Sequence, residues 1–281
     1  MKKYLSLALC VFVLTATANT VHAFDKKDLA KLKKTQRIGI AKCIKCKLVL
    51  ANLTGLDLSY AQLNGADLYK AKLGGAILKK TNLIGAYLRK ANLIKANLKE
   101  AKLTGANLSE AYLIGANLTK ANLGGVDLTG ANLKGSDLEF ANLTGAILRK
   151  AFLFRADLRK ANLREATLTK AFLGDAILKE AKLSGAYLGG AYLGGANLTK
   201  ANLYKANLTG ANLTKADLSG ATWTDGIKCG KGSIGKCVRD KWKPIMGMRH
   251  PSRPCMKVNS CGVDRRSAAE KRKNPYDIRG K

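Results

Sequence analysis

The sequence predicts an all-β chain, wound into a parallel β-helix of square cross-section, and two regularities predict it. Leucine returns at every fifth position from Leu48 to Leu218 without a miss. Two residues before each leucine stands a small residue, nearly always alanine, as in Ala51, Ala61 and Ala66, with exceptions such as Leu56, Thr81, Val126 and Ser136. A fixed period marks a repeat architecture. An α-helix turns about 100° per residue, so leucines five apart fall about 140° apart and form no stripe. A flat strand alternates with period two, so an odd repeat sends successive leucines to opposite faces. A coil that turns a quarter-circle every five residues buries them all. Four units then close one turn, and stacked turns pair their backbones about 4.8 Å apart. About nine such coils fit between Ala51 and Thr224, a rod of about 40 Å.

The chain begins Met1-Lys2-Lys3, runs apolar from Tyr4 to about Leu14, and reaches a small-x-small exit at Val21-His22-Ala23. These are the three parts of a secretory signal, so residues 1–23 are expected to be a cleaved signal peptide. The apolar run is too short to anchor the chain across a bilayer. A lipoprotein signal at Cys10 is disfavoured by the bulky Leu9 before it. An open β-helix exposes core and backbone at each end and needs caps. Residues 24–40 are expected to supply the first, with a short helix from Asp28 to Lys34 laying Leu29 and Leu32 over the first coil. The repeat occupies residues 41–224, with Cys43 and Cys46 in core slots at its start and Trp223 in a leucine slot at its end. Residues 225–238 form a cysteine-containing C-terminal cap. Residues 239–281 are a basic tail expected to be flexible, since residues 226–281 carry 16 Lys+Arg against 4 Asp+Glu, net +12.

The residue before leucine is often Asn or Asp, and the second after it is often Gly or Lys. The unit is Ala-(Asn/Asp)-Leu-x-x, as in Ala106-Asn107-Leu108-Ser109-Glu110. Over so many units this resembles the pentapeptide-repeat family. The resemblance implies a right-handed quadrilateral parallel β-helix, a pentapeptide-repeat solenoid, and little about activity. The stretch Thr222-Trp223-Thr224-Asp225-Gly226 with Cys229, then Gly232-Ser233-Ile234-Gly235 with Cys237, is similar to the end cap of exported members, and Cys43-x-x-Cys46 resembles their start. Some members resemble duplex DNA through an acidic surface and inhibit topoisomerases. This chain is basic, so an acidic DNA-mimic role is not expected.

The net charge is +31, from 50 Lys+Arg and 19 Asp+Glu. Such a charge bears on partners and solubility rather than fold. It points to a polyanion, or to a solvated surface that keeps the rod from aggregating. Residues 20 apart should stack, which sorts the pairs after leucine onto four faces. Two opposite faces are basic, one with Tyr69-Lys70, Arg89-Lys90 and Arg149-Lys150, the other with Lys79-Lys80, Lys99-Glu100 and Arg159-Lys160. The two between carry mostly Gly, Thr and Ile, with glycine expected where corners need positive φ. At the position before leucine, Tyr112, Phe152, Phe172 and Tyr192 share one face. They form either a ladder that stiffens the rod or a contact column for a partner subunit or for sugar rings. A homodimer through this column is one expectation.

Six cysteines remain beyond Cys10, none between Ser59 and Asp225, and six allow 15 pairings. Local disulfides are expected: Cys43–Cys46, Cys229–Cys237 and Cys255–Cys261, with buried thiols the alternative at the first pair. A second close Cys-x-x-Cys pair, needed for a zinc site, is missing from the sequence. So is the strand-to-helix context of a redox motif. His250, in the tail, is the only histidine after the signal. The carboxylates are spread along the coils without a cleft, and Gly124-Gly125 is a corner with no helix after it. No catalytic, cofactor-binding or metal-ligating residue is expected, and no cofactor. The expected function is that of a non-enzymatic exported structural or interaction protein of the periplasm or extracellular space. Its partner is an unknown protein or an envelope polyanion, and the chain has no specific nucleic-acid motif. The alternatives are a module that binds anionic lipid, lipopolysaccharide or nucleic acid through the basic faces and tail, and a secreted effector.

Overall fold

A computed structural model describes residues 25–37 and 41–239. The signal peptide, the Cys255–Cys261 pair and the tail from residue 240 lie outside the described residues. From residue 41 the chain is a right-handed quadrilateral β-helix. Parallel bridges join each residue that precedes a leucine to its counterpart 20 positions on, from Lys42↔Gln62 to Asn202↔Thr222. Residues 41–220 therefore make nine coils of 20 residues. The bridging residues form four flat sides. Side 1 runs from Lys42 to Thr222, side 2 from Lys47 to Asn207, side 3 from Asn52 to Asn212 and side 4 from Asp57 to Asp217.

The five-residue unit is explained by where its backbone N–H groups go. In the unit Ala121–Gly125, Ala121 N–H donates to the Leu118 carbonyl and closes the preceding turn. Asn122 N–H donates down to Ala101, while Leu123 and Gly125 donate up to Asn142 and Thr144. The remaining donor, Gly124 N–H, is taken by the Asn122 side chain at 3.3 Å. All five donors are satisfied, and buried backbone demands such a complete account. The same side-chain bond recurs along the rod, as from Thr54 to Asn52, Ser59 to Asp57 and Thr129 to Asp127. It is an Asx turn, and it gives the preference for Asn and Asp before leucine its physical reason.

The interior is a column of leucine beside a column of small residues. Every leucine of the series from Leu48 to Leu203 is at most 1% exposed. Thr81 and Ser136 occupy alanine slots, and their hydroxyls donate to the Leu58 and Leu133 carbonyls at 2.7 and 2.8 Å. Neither therefore carries the penalty of an unpaired buried polar group.

Both ends are covered. Helix α1, Lys26–Arg37, starts on Asp25, whose carboxylate accepts the Lys27 N–H at 2.8 Å. Its Leu29 and Leu32 are buried in the same cluster as Cys43 and Cys46. The Asp28 carboxylate accepts the Lys47 N–H at 2.7 Å, and Asp25 N–H donates to the Lys47 carbonyl at 3.1 Å. Side 2 of the first coil thus finds in α1 the partners that a preceding coil would have supplied. At the other end the chain reverses and pairs antiparallel, Asp217↔Ile234, Thr222↔Lys228 and Cys229↔Arg239. Leu218 and Ala221 are buried beneath this cap, whereas Leu208, Ala211 and Leu213 on sides 2 and 3 are only half-buried.

Candidate interaction surface

The two residues after each leucine occupy a β-turn whose second central residue has positive φ, as in a type II turn. They are therefore the corners of the square. The four faces expected for these pairs are its four edges, and the flat sides belong to the residues before leucine. This moves the basic stripes onto diagonally opposite edges, one between sides 2 and 3 and the other between sides 4 and 1. Glycine fills only part of the positive-φ set. Among the described residues twenty-one others adopt it, twelve of them lysine, at φ of 52–61°. The charge is thus carried at the points where the chain projects furthest and where an L-residue is least comfortable.

Acids along the basic edges pair with bases one coil away. Lys80 meets Glu100 at 3.5 Å, Arg159 meets Glu139 at 3.4 Å, and Glu110 takes both Arg89 at 2.7 Å and Lys90 at 3.2 Å. Hydrogen bonds from Arg89 and Lys90 hold the Glu110 carboxyl below its ordinary range, and the bond to Glu110 raises Arg89 in return. Arg159 is raised mainly by its hydrogen bond to Asp157. These groups are exposed, so each pair contributes little to stability. Aromatic rings also receive cations, with Lys80 over Tyr60, Lys160 over Phe140 and Arg155 over Phe154. Arg149, Lys150 and Lys170, on the edge between sides 2 and 3, form no ion pair among the described residues.

Side 3 carries the aromatic column. Tyr112, Phe152, Phe172 and Tyr192 are 50, 46, 45 and 46% exposed. Phe152 and Phe172 stack face to face, centroids 5.0 Å apart and planes 5° from parallel. Tyr112 is separated from them by Asn132. Tyr192 lies across the neighbouring corner, where a Cβ on Gly194 would meet its ring at 2.7 Å and one on Gly174 would meet it at 3.0 Å. Those two glycines are buried, unlike the other residues just after leucine in this repeat. Glycine at both positions leaves room for the Tyr192 ring over that corner, and the Phe154 ring also lies against Gly174, whereas Gly189 after Tyr187-Leu188 has no ring over it. Periodicity alone does not reveal this.

Of the six cysteines, the structure joins Cys43 to Cys46 at 2.08 Å and Cys229 to Cys237 at 2.05 Å. A shallow groove lined by Tyr60, Gln62, Lys80, Glu100 and Lys102 has its Lys80 and Glu100 already paired with each other. Among the described residues no group of His, Cys, Asp or Glu is arranged to hold a metal ion. No helix among them is long and apolar enough to cross a membrane.

The family profile for pentapeptide repeats matches overlapping windows from residue 46 to residue 220. The chain belongs to the pentapeptide-repeat family. Solved pentapeptide-repeat proteins resemble it. HetL from the cyanobacterium Nostoc, a pentapeptide-repeat protein involved in heterocyst differentiation regulation, is 32% identical over 71% of this chain and 98% of its own, with a TM-score of 0.40. A pentapeptide-repeat protein of the Arabidopsis thaliana thylakoid lumen is 28% identical over 41% of this chain and 85% of its own, with a TM-score of 0.36. QnrB1, a plasmid-mediated fluoroquinolone resistance protein, is 20% identical over 62% of this chain and 92% of its own, with a TM-score of 0.40. A search of curated protein sequences gives no match. As a pentapeptide-repeat protein the chain is a scaffold, and its distinguishing features are what it places on the sides and corners.

Proposed function

We propose that this pentapeptide-repeat protein is a non-enzymatic scaffold, exported to the periplasm or beyond, that acts by presenting its surface to a partner. The observation that carries this reading is the half-exposed aromatic column on side 3, held on coils joined by backbone hydrogen bonds over leucines that are buried from Leu48 to Leu203. Exposed aromatics on a rigid frame suit binding, and they cost solubility unless a partner uses them. Export is supported by two disulfides placed at the two ends of the repeat, a chemistry that persists in oxidising compartments. The shifted ionisable groups are surface ion pairs rather than groups poised in a cleft, which favours binding over catalysis. Fractionation of the native host, followed by thiol labelling, tests the reading. The expected result is recovery from periplasm or medium with Cys43, Cys46, Cys229 and Cys237 unreactive. Recovery from the cytosol with free thiols overturns export.

The unpaired Arg149, Lys150 and Lys170 favour a second reading, capture of a polyanion. Retention on immobilised heparin at physiological salt is its expected signature. Elution in the void volume removes it.

A further inference from the structure

We infer that coils six to eight, residues 141–200, carry a docking surface for an acidic protein, centred on side 3 and the edge it shares with side 2. This rests on the scaffold reading and names the site and the partner's chemistry.

Three features converge there. Phe152, Phe172 and Tyr192 occupy consecutive coils of side 3, each about half exposed. Ile147 and Tyr187 stand exposed on side 2 in the first and last of the same coils. Between the two sides runs the edge of Arg149, Lys150 and Lys170, whose charges no acid on the described surface offsets. Aromatic residues and arginine beside a polar rim are the composition of protein interfaces. Below coil six, side 3 reverts to Asn132 and above coil eight to Asn212, so the apolar strip has defined limits.

Ring geometry selects the partner class. Nucleobases and sugar rings dock by stacking on free aromatic faces. Here Phe152 and Phe172 spend one face each on the other, and Tyr192 rests across Gly174 and Gly194. What remains outward suits apolar side chains. A second copy is disfavoured by charge. Each chain carries a net +31, so two copies repel where an acidic partner is attracted. An acidic partner turns the unpaired edge from a repulsive feature into an attractive one.

The oxidised full chain is titrated with two fluorescent polymers of matched charge, a random Glu/Tyr copolymer and polyglutamate. The expected result is at least tenfold tighter binding of the copolymer. The double variant Phe152→Ser/Phe172→Ser should lose that preference while keeping its affinity for polyglutamate. Lys150→Glu/Lys170→Glu should weaken both by tenfold or more. Circular dichroism and thermal midpoints confirm that these exposed replacements leave the rod folded. Equal wild-type affinity for the two polymers overturns the inference, as does a preference that survives the phenylalanine replacements. Tighter binding of heparin or single-stranded DNA, indifferent to those replacements, overturns it in favour of a charge-only surface. A doubled mass by light scattering that Phe152→Ser/Phe172→Ser abolishes overturns it in favour of a second copy. None of these failures touches the export reading, which stands or falls on the fractionation.

Discussion

Asn142 shows how much one polar side chain does in this rod. Its carbonyl oxygen accepts the Thr144 N–H at 3.2 Å and the Thr144 hydroxyl at 2.7 Å, and its amide donates to Asn122 at 3.1 Å. Asn142→Ala is expected to cost about 1 kcal/mol in urea unfolding, the worth of a typical net hydrogen bond, while Thr144→Val should cost less. Equal stability of Asn142→Ala and wild type would show that the Asx turn contributes nothing. Glu110 offers a pH test. Its folded carboxyl is held below the ordinary 4.5 by Arg89 and Lys90, so its small contribution is present above that value. It is lost as pH falls through the lowered folded value. The difference in unfolding midpoint between wild type and Glu110→Gln should therefore be present at pH 7 and vanish in acid. The sequence made the Asn and Asp preference visible but not its use, because the bond goes to a backbone N–H two residues on, which any residue there supplies. Lysine at positive φ was equally hidden, since pattern expects glycine wherever the turn demands that conformation.

Each cap replaces a missing coil by different means. Helix α1 uses side chains, with Leu29 and Leu32 on the core and the Asp28 carboxylate on the Lys47 N–H. Leu32→Ala should destabilise the protein by about 2–5 kcal/mol, with the loss concentrated at the N-terminal end of the rod, because a fully buried leucine leaves a cavity there. A thermal midpoint unchanged from wild type would show that α1 does not cap the coil. The C-terminal cap uses backbone pairing locked by Cys229–Cys237. Replacing both with serine should cost about 2–3 kcal/mol in the chain-entropy account of a short loop. Protection of amides near Ser233 should fall with it. Both caps lay where the leucine series ends, so their locations were legible. Their conformations were not, since neither carries a repeat. The helix exceeds the stretch from Asp28 to Lys34 by two residues at its start, where Asp25 caps it, and by three at its end, at Arg37.

The whole rod behaves as a one-dimensional stack in which each coil is stabilised by its neighbours. Opening should begin at the ends and differ between sides. Leu208 and Leu213 are only half-buried, whereas Leu218 lies beneath the cap. Hydrogen exchange is expected to be fastest on sides 2 and 3 of the last coil and slowest in the central coils. Uniform exchange along the rod would contradict this. The overall architecture was the most legible level, since a single period set coil size and core, and the family resemblance supplied the right-handed sense. The surface was legible by column but not by shape. Sorting residues 20 apart found the right neighbours, yet only turn geometry shows which columns are corners.

The 20-residue register also sets rules for how such a chain can lengthen or shorten. Loss or duplication of a single five-residue unit keeps every leucine inward, so the product still folds. It also advances all later residues by a quarter-turn, and Phe152 would then sit in line with a different side from Tyr112. Only gains or losses of four units at once preserve the alignment of surface residues above and below the change. Selection on a binding face would therefore leave its mark as indels in steps of twenty, whereas selection on stability alone would tolerate steps of five.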